Sequence, residues 1–452
     1  MEIRTFYDPA VFHYSYLVAD LGKAVVIDPK REVEEYLAAA AEMRVTIEKI
    51  LVTHLHADFA GGHLRLSRLT GAPIGIDEKT EVAWIAERMP EGHRFSIGNA
   101  EFRVVRTPGH TPDHVSFELT DRASSIAPFA VFTGDTLFAG DVGRPDLFGA
   151  DRQEELAQSL FASLRRYREL PDHTLVYPCH GAGSLCGKKL SPRNPTTVGF
   201  EKHANEMFQL ESYDDFRREL LTDMPAPPAY YFATSAKNRA GDGLDAALHA
   251  PRALTPSQVM KFDGIVVDLR DQAAFAGCHI PKSLSLAADT HLSTNAGTTL
   301  PTDTRLCLVG APEDVKAAAA VLWRMGYDGV NGFLLGGIGN WRESGLPTAS
   351  YPLLSPAAAQ AILAAEDAVI VDVRTGGERN DARLAGSLGM PLSRLAKDME
   401  VLPHDRLLLV QCGHGCRGSL GTSMLLRAGF PRVANLAGGL VAWRAAGLPV
   451  ET

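Results

Sequence analysis

Cysteine is scarce in this chain: six residues among 452. That is too few for a disulfide scaffold, so the thiols are expected to be free and the compartment to be the reducing cytoplasm. Long apolar runs are missing as well. None reaches the roughly 18 residues needed to cross a bilayer, and no membrane partner is expected. The opening stretch, MEIRTFYDPAVFHYS, lacks a charged segment followed by an apolar one, which predicts no signal peptide. Basic runs are absent and the net charge is −9. A surface that neutralises nucleic-acid phosphates is therefore not expected. What is present is ordinary for globular protein, 45% hydrophobic and 22% charged. At roughly 150 residues per domain, the length suggests about three domains.

An internal repeat divides the second half. LLGGIGNWRESGLP, ending at Pro347, is echoed by NLAGGLVAWRAAGLP, ending at Pro449. Upstream, IVVDLRDQAAFAGCHIPKSLSL is echoed by VIVDVRTGGERNDARLAGSLGMPL. Trp341 and Trp443 lie 102 positions apart, and Asp268 and Asp372 lie 104 apart. A period this long means a duplicated domain rather than a solenoid. Each copy has short apolar strands (Ile265–Asp268 and Leu306–Val309; Val369–Asp372 and Leu407–Val410). Helical stretches follow the later ones (Val315–Met325; Ser419–Arg427), and such alternation predicts a parallel sheet covered by helices. The first 240 or so residues read differently, with strand-like runs at Tyr16–Val18, Ala24–Ile27, Ile50–Val52, Val131–Thr133 and Leu175–Tyr177. The Pro-, Gly- and Ala-rich stretch Pro225–Pro251 reads as a connector, with YYFAT inside it a candidate for packing back on the first domain.

Metal-type residues gather where these early strands end. After IEKILV comes THLHADFAGGH, in which His54, His56 and Asp58 alternate and can converge once the chain turns, a turn the glycine pair permits. His110 in TPGHTPDH, Asp135 in FTGDTLF and His180 in YPCHGAGS each follow an apolar strand and sit among turn-forming residues.

These motifs resemble the metallo-β-lactamase superfamily, in its glyoxalase II and persulfide dioxygenase branch, over about residues 1–240. In the glyoxalase II relatives the first motif reads H-x-H-x-D-H and helps bind two metals. Phe59 replaces the last histidine here, which weakens a dinuclear site while leaving Asp58, Asp135 and His180 as its remaining candidates. The persulfide dioxygenase resemblance implies one Fe(II) per chain, held at His54, His110 and Asp135, with His56, Asp58 and His180 around it. Two imidazoles and a carboxylate on one face of iron leave open positions for a persulfide sulfur and O₂; zinc, being redox-silent, cannot do that chemistry. GDVGRPDLFG resembles a segment of the same enzymes and makes Arg144 a candidate for shaping the pocket or contacting an anion. The region around Cys186, HGAGSLCGK, resembles bacterial fusions of persulfide dioxygenase with rhodanese. Neighbouring glycine, Lys188 and Lys189 are expected to lower that thiol's pKa, making Cys186 a candidate sulfur acceptor. Cys179 is expected to be core.

In the last repeat, LLLV is followed by QCGHGCRGS and a helical run. This resembles the rhodanese active-site loop, with cysteine and arginine separated by four residues. Inward-facing amides and the helix dipole would stabilise a Cys412 thiolate and then its persulfide. Arg417 is a candidate to fork onto the oxygens of sulfite or thiosulfate. Related phosphatases have five intervening residues, a wider cradle that suits phosphate. Cys416 in the same loop reads equally as a partner of Cys412 or a bystander. In the first copy, RLCLVGAPEDVKAAA puts Ala311 at the cysteine position and lacks the arginine; Cys307 reads as core, and Cys278 has no cradle. That copy is expected to be an inactive rhodanese, serving as a spacer or in oligomerisation.

The resulting expectation is an α/β chain: a metallo-β-lactamase αββα sandwich over 1–240, an inactive rhodanese-like domain over 252–348 and an active one over 353–452. The resemblance implies oxidation of a low-molecular-weight thiol persulfide (of glutathione or coenzyme A) by O₂ to sulfite, joined to sulfur transfer that makes or uses thiosulfate. The competing expectation is a zinc thioester hydrolase of glyoxalase II type with accessory rhodanese domains. A homo-oligomer is expected.

Overall fold

The computed structural model describes residues 1–222, 224, 227–365 and 368–452. It falls into two compact units. The first holds Met1–Pro227, Tyr231–Leu248 and Arg324–Gly326; the second holds Pro228–Tyr230, His249–Trp323 and Tyr327–Thr452. Among the described residues, no helix is long and apolar enough to cross a membrane.

The first unit is built on two six-stranded sheets. One runs Glu2–Asp8, His13–Asp20, Lys23–Ile27, Thr46–Leu51, Ile74–Asp77 and Glu87–Met89; the other Thr196–Thr197, Leu175–Pro178, Ala130–Gly134, Val115–Asp121, Ala100–Arg106 and Arg94–Ile97. Alternation along the strands explains the layering. Val25 and Ile27 face inward and share a core with Phe102, Val104, Phe117 and Phe132 of the second sheet. Ala24 and Val26 face outward, into a second core with Tyr36, Ala39 and Leu66 from the helices Glu34–Met43 and His63–Thr70. On the opposite outer face, Val131 and Val176 pack with Leu160 and Leu164 of the helix Ala150–Arg168. The order is helix, sheet, sheet, helix, an αββα sandwich.

The stretch expected to be a connector contains a 12-residue helix, Ala229–Ala240. Its sequence, AYYFATSAKNRA, offers apolar residues at helical spacing once the preceding prolines have passed. Within the stretch, Pro225 and Ala226 lie outside the described residues.

The second unit holds two five-stranded parallel sheets of identical topology. The first is ordered Arg252–Leu254, Val330–Leu334, Leu306–Val309, Ile265–Asp268, Leu284–Ser285; the second Leu353–Leu354, Val433–Leu436, Leu407–Gln411, Ala368–Asp372, Leu388–Gly389. The repeat extends to side chains. Trp341 and Trp443 each donate their indole N–H at 2.9 Å, to Pro347 O and Pro449 O respectively. Asp268 and Asp372 each close a strand and take Nε and Nη2 of the arginine two residues on, Arg270 and Arg374, both at 2.9 and 2.6 Å. Such pairs hold the turn after the strand, since each guanidinium also reaches a backbone carbonyl, Cys278 O or Ala382 O.

The pair in the second copy is almost dry, with side-chain exposures of 0% for Asp372 and 4% for Arg374. Asp372→Ala would strand a buried guanidinium, and urea titration of the full chain should show the second unit destabilised by about 3–5 kcal/mol. A shift below 1 kcal/mol would mean the pair contributes little.

Candidate active sites

The loop of two histidines and an aspartate begins where Thr46–Leu51 ends, and its first residue is held by the neighbouring strand. Asp28, just beyond Lys23–Ile27, accepts the amide of Thr53 at 2.8 Å and its hydroxyl at 2.9 Å. With its proton given to Asp28, Thr53 Oγ1 accepts at 2.9 Å from His54 Nδ1. His110 is oriented likewise, its Nδ1 donating to Arg144 O at 3.0 Å. A carbonyl can only accept, so Nδ1 carries the proton and Nε2 offers a lone pair. Burial lowers the pKa of both imidazoles and keeps them neutral.

The two lone pairs converge on one carboxylate. His54 Nε2 lies 3.8 Å and His110 Nε2 3.4 Å from Asp135 Oδ2. That oxygen is buried and has no hydrogen-bond partner among the described residues. Asp135 follows Ala130–Gly134, and its amide donates to His114 Nε2 at 3.0 Å. Gly134 has φ 51, and a Cβ there would stand 2.4 Å from that same nitrogen, so the turn admits glycine only. Three electron-rich atoms facing one another in a dry space repel unless a cation lies between them. Two imidazoles and a carboxylate, each braced from behind, have the pattern of a metal site.

His180 is committed elsewhere. Its Nδ1 lies 2.8 Å from Asp135 Oδ1 and its Nε2 2.7 Å from Asp58 Oδ2. Burial opposes the charge, but the Asp135 and Asp58 carboxylates outweigh it and raise the His180 pKa well above its ordinary value. With Asp58 and Cys186 Sγ, His180 also makes a second group of atoms that could hold a metal. His56 also turns away, with Nε2 3.2 Å from Asp28 Oδ1. Phe59 fills the position of the missing histidine and lies against the rings of His13 and His56, centroids 4.1 and 4.3 Å away.

One expectation changes. Cys186 is buried in the pocket, its Sγ grouped with Asp58 and His180, but its thiol is not acidified. Burial and then Asp135 push it up to about 11. Lys188 Nζ instead donates to Glu219 O at 2.7 Å, and Lys189 Nζ meets Glu206 at 2.9 Å. Cys179 is core, as expected, and its thiol also donates to Asp28 Oδ2 at 3.0 Å. The Arg144 side chain is buried rather than presented to an anion. It forks onto Asp146 at 2.6 and 2.7 Å and reaches Leu185 O at 3.0 Å.

The sequence reading also passed over residues. Asp28 and His114 stand directly beside strands, as Asp135 and His110 do, so a signal was available. His13 had none: it is buried, with neither ring nitrogen bonded among the described residues. Nor did Asn238, on the helix Ala229–Ala240. Its Nδ2 donates to His56 O at 2.7 Å and Phe59 O at 2.8 Å, and its Oδ1 accepts from Gly61 N at 2.8 Å. This one amide fastens the metal loop at three points.

In the second unit, Cys412 follows the strand Leu407–Gln411 and is buried. Gly415 has φ 102 and turns the loop so that its amide donates to Cys412 Sγ at 3.0 Å. The helix Cys416–Arg427 then begins, three residues earlier than the periodicity suggests. Arg417 is not an open fork. Nη1 and Nη2 hold Glu378 at 2.8 and 2.6 Å. Burial opposes it, yet Arg417 brings the Glu378 carboxyl down to about 2. In the first copy Cys307 is sealed in its strand, burial pushing its thiol up to about 12, and the helix Pro312–Arg324 starts right after Ala311.

Comparison with known proteins agrees with this division. The metallo-beta-lactamase superfamily model matches residues 8–180, and the rhodanese-like domain model matches 254–344 and 355–446. A hydroxyacylglutathione hydrolase of Rhodospirillum rubrum is 39% identical over 172 residues, 37% of this chain and 62% of that protein. Another, from Cereibacter sphaeroides, is 32% identical over 242 residues, 51% of this chain and 84% of that protein. The chain thus spans about three fifths of the length of curated relatives such as the first. A crystal structure described as a metallo-beta-lactamase from Staphylococcus aureus superposes with a TM-score of 0.69 at 31% identity, covering 74% of this chain and 98% of its own.

Two outcomes follow from the bonding. Asn238→Ala leaves three buried backbone groups without partners, so it should cost about 3 kcal/mol and reduce the metal retained after dialysis to under half; elemental analysis checks this. Glu378 has a depressed pKa, so its pair with Arg417 is complete above the free carboxylate's ordinary pKa and is lost as pH falls through about 2. At neutral pH a thiosulfate anion must therefore compete with a fully ionised Glu378. Glu378→Gln should lower the KM for thiosulfate several-fold, read from initial rates of transfer to cyanide.

Proposed function

Because the chain belongs to the metallo-beta-lactamase superfamily, with two rhodanese-like domains behind that fold, we propose that it is a persulfide dioxygenase that also transfers sulfur. Its substrate would be a low-molecular-weight persulfide, of glutathione or coenzyme A, oxidised with O₂ to sulfite. The observation that carries the reading is the convergence of His54 Nε2, His110 Nε2 and Asp135 Oδ2, while Phe59, in place of a histidine, removes one ligand of a second metal. One ion held on one side, with the other side open, suits iron better than a hydrolytic pair of zincs. Ferrous iron, when bound there, supplies the electrons and open positions by which RSSH + O₂ + H₂O gives RSH, sulfite and two protons.

The chain's own residues do the rest. Thr53 and Arg144 O fix the two imidazoles so that only Nε2 faces the centre. Asp135 supplies one oxygen to the centre and keeps the other on His180. His180 stands between the carboxylates of Asp135 and Asp58, its Nε2 2.7 Å from Asp58 Oδ2. Phe59 and His13 form an apolar wall that excludes water. Cys186 stands in the same pocket as a protonated thiol and accepts sulfur only after losing that proton. At the other site the Cys412 thiolate attacks the outer sulfur of thiosulfate. An S–S bond forms to Cys412, the bond to sulfite breaks, and sulfite leaves; the reverse step makes thiosulfate from sulfite. Carrying both sites on one chain raises the local concentration of sulfite for Cys412.

The relatives named hydroxyacylglutathione hydrolase favour a second reading, a zinc thioester hydrolase with accessory rhodanese-like domains. Metal content separates the two: about one iron per chain for the oxygenase, two zincs for the hydrolase. His110→Ala should abolish O₂ uptake with glutathione persulfide and leave thiosulfate:cyanide transfer intact, and Cys412→Ser should do the opposite. Iron-reconstituted protein that consumes no oxygen yet hydrolyses a hydroxyacylglutathione would replace the first reading with the second.

A further inference from the structure

The first rhodanese-like copy has lost its cysteine, yet its side chains reach the thiol loop of the second copy. Ser285, at the end of Leu284–Ser285, meets the helix that follows Cys412. Its amide donates to Ser423 Oγ at 3.1 Å and its hydroxyl lies 2.8 Å from Ser419 Oγ. Arg427, in the last turn of that helix, donates to Lys282 O at 2.7 Å.

Other contacts lie nearer the sulfur. Gln272 opens the helix Gln272–Gly277, after the N-cap Asp271. Its side chain fits against Gly415 so closely that a Cβ on the glycine would stand 2.3 Å from Gln272 Oε1. The same Oε1 accepts from Asn435 Nδ2 at 3.4 Å, and that Nδ2 also donates to Gly415 O at 3.2 Å. Gly415 in turn donates its amide to Cys412 Sγ. Burial and then the nearby Asp289 of the first copy raise the pKa of the Cys416 thiol.

We propose that the first copy is kept as the outer wall of the second copy's thiol loop, with Gln272 a positioning residue that holds the Gly415 amide on the sulfur of Cys412. The loop needs such a wall because Gly415, at φ 102, is in a conformation glycine leaves easily. An amide aimed at sulfur stabilises the anionic thiolate and persulfide more than the neutral thiol, so its loss falls on the reacting form. The assignment rests on Cys412 being the sulfur carrier.

The test uses the full-length chain. Gln272 is partly exposed at a helix start, where alanine is well tolerated. Gln272→Ala should slow iodoacetamide alkylation of Cys412 at neutral pH by about threefold, followed by mass spectrometry. It should lower kcat for thiosulfate:cyanide transfer by a similar factor while the KM for thiosulfate holds. Ser285→Ala removes a contact between the same two copies away from the loop and should leave both measurements unchanged. Wild-type rates in folded Gln272→Ala, or an equal loss in Ser285→Ala, would overturn the assignment. If the unaltered protein transfers no sulfur to cyanide, the reading of Cys412 fails, while alkylation still decides the role of Gln272.

Discussion

Two imidazole lone pairs and one carboxylate oxygen are driven together in a buried pocket. Left alone they repel, and no donor among the described residues relieves them. Everything nearby holds them in place. Asp28 braces Thr53, which braces His54; the carbonyl of Arg144 braces His110, and the Arg144 guanidinium is itself pinned by Asp146. His114 receives the amide of Asp135. Folding energy is spent to keep a site that is unfavourable until a cation arrives, which is how a protein binds a metal without reorganising around it.

The rhodanese-like pair shows how a duplicated fold divides. Both copies keep the same strand order, the same aspartate–arginine clasp and the same tryptophan bond, because these hold the turn and the core whatever the loop does. The loop itself differs. With Ala311 followed at once by a helix, the first copy has no room for a cradle, whereas the second spends three residues turning the Gly415 amide onto Cys412. The scaffold is the same in both copies because the residues that hold it and those that form the loop are not the same ones.

Much of this was legible in the sequence. Strand ends followed by histidine or aspartate among glycines located His54, His110, Asp135 and His180, because a ligand must leave the sheet to reach its metal. The repeat in the second half was plain from two tryptophans and two aspartates. The electrostatics around the cysteines was not. Lys188 and Lys189 sit beside Cys186 along the chain yet point to other partners, and Arg417 is already spoken for by Glu378. The Cys186 reading took closeness in sequence for closeness of charge, and the Arg417 reading could not see a partner that arrives from 39 positions away. Asn238 lay further out of reach, in a stretch whose composition suggested only a connector, since no local pattern reports a contact made 182 positions away.

That distance governs how the protein matures. The loop bearing His54 leaves the ribosome long before the helix carrying Asn238 has been made. At about 5–20 residues per second the gap is roughly 10 to 40 s. During that interval the loop's carbonyls at His56 and Phe59 have only water for company, and a captured ion would sit in a floppy, exchangeable nest. Metal acquired after the helix docks is locked behind finished backbone. Loading of this centre therefore belongs to the end of translation of its domain, a timing written into the chain by one late amide.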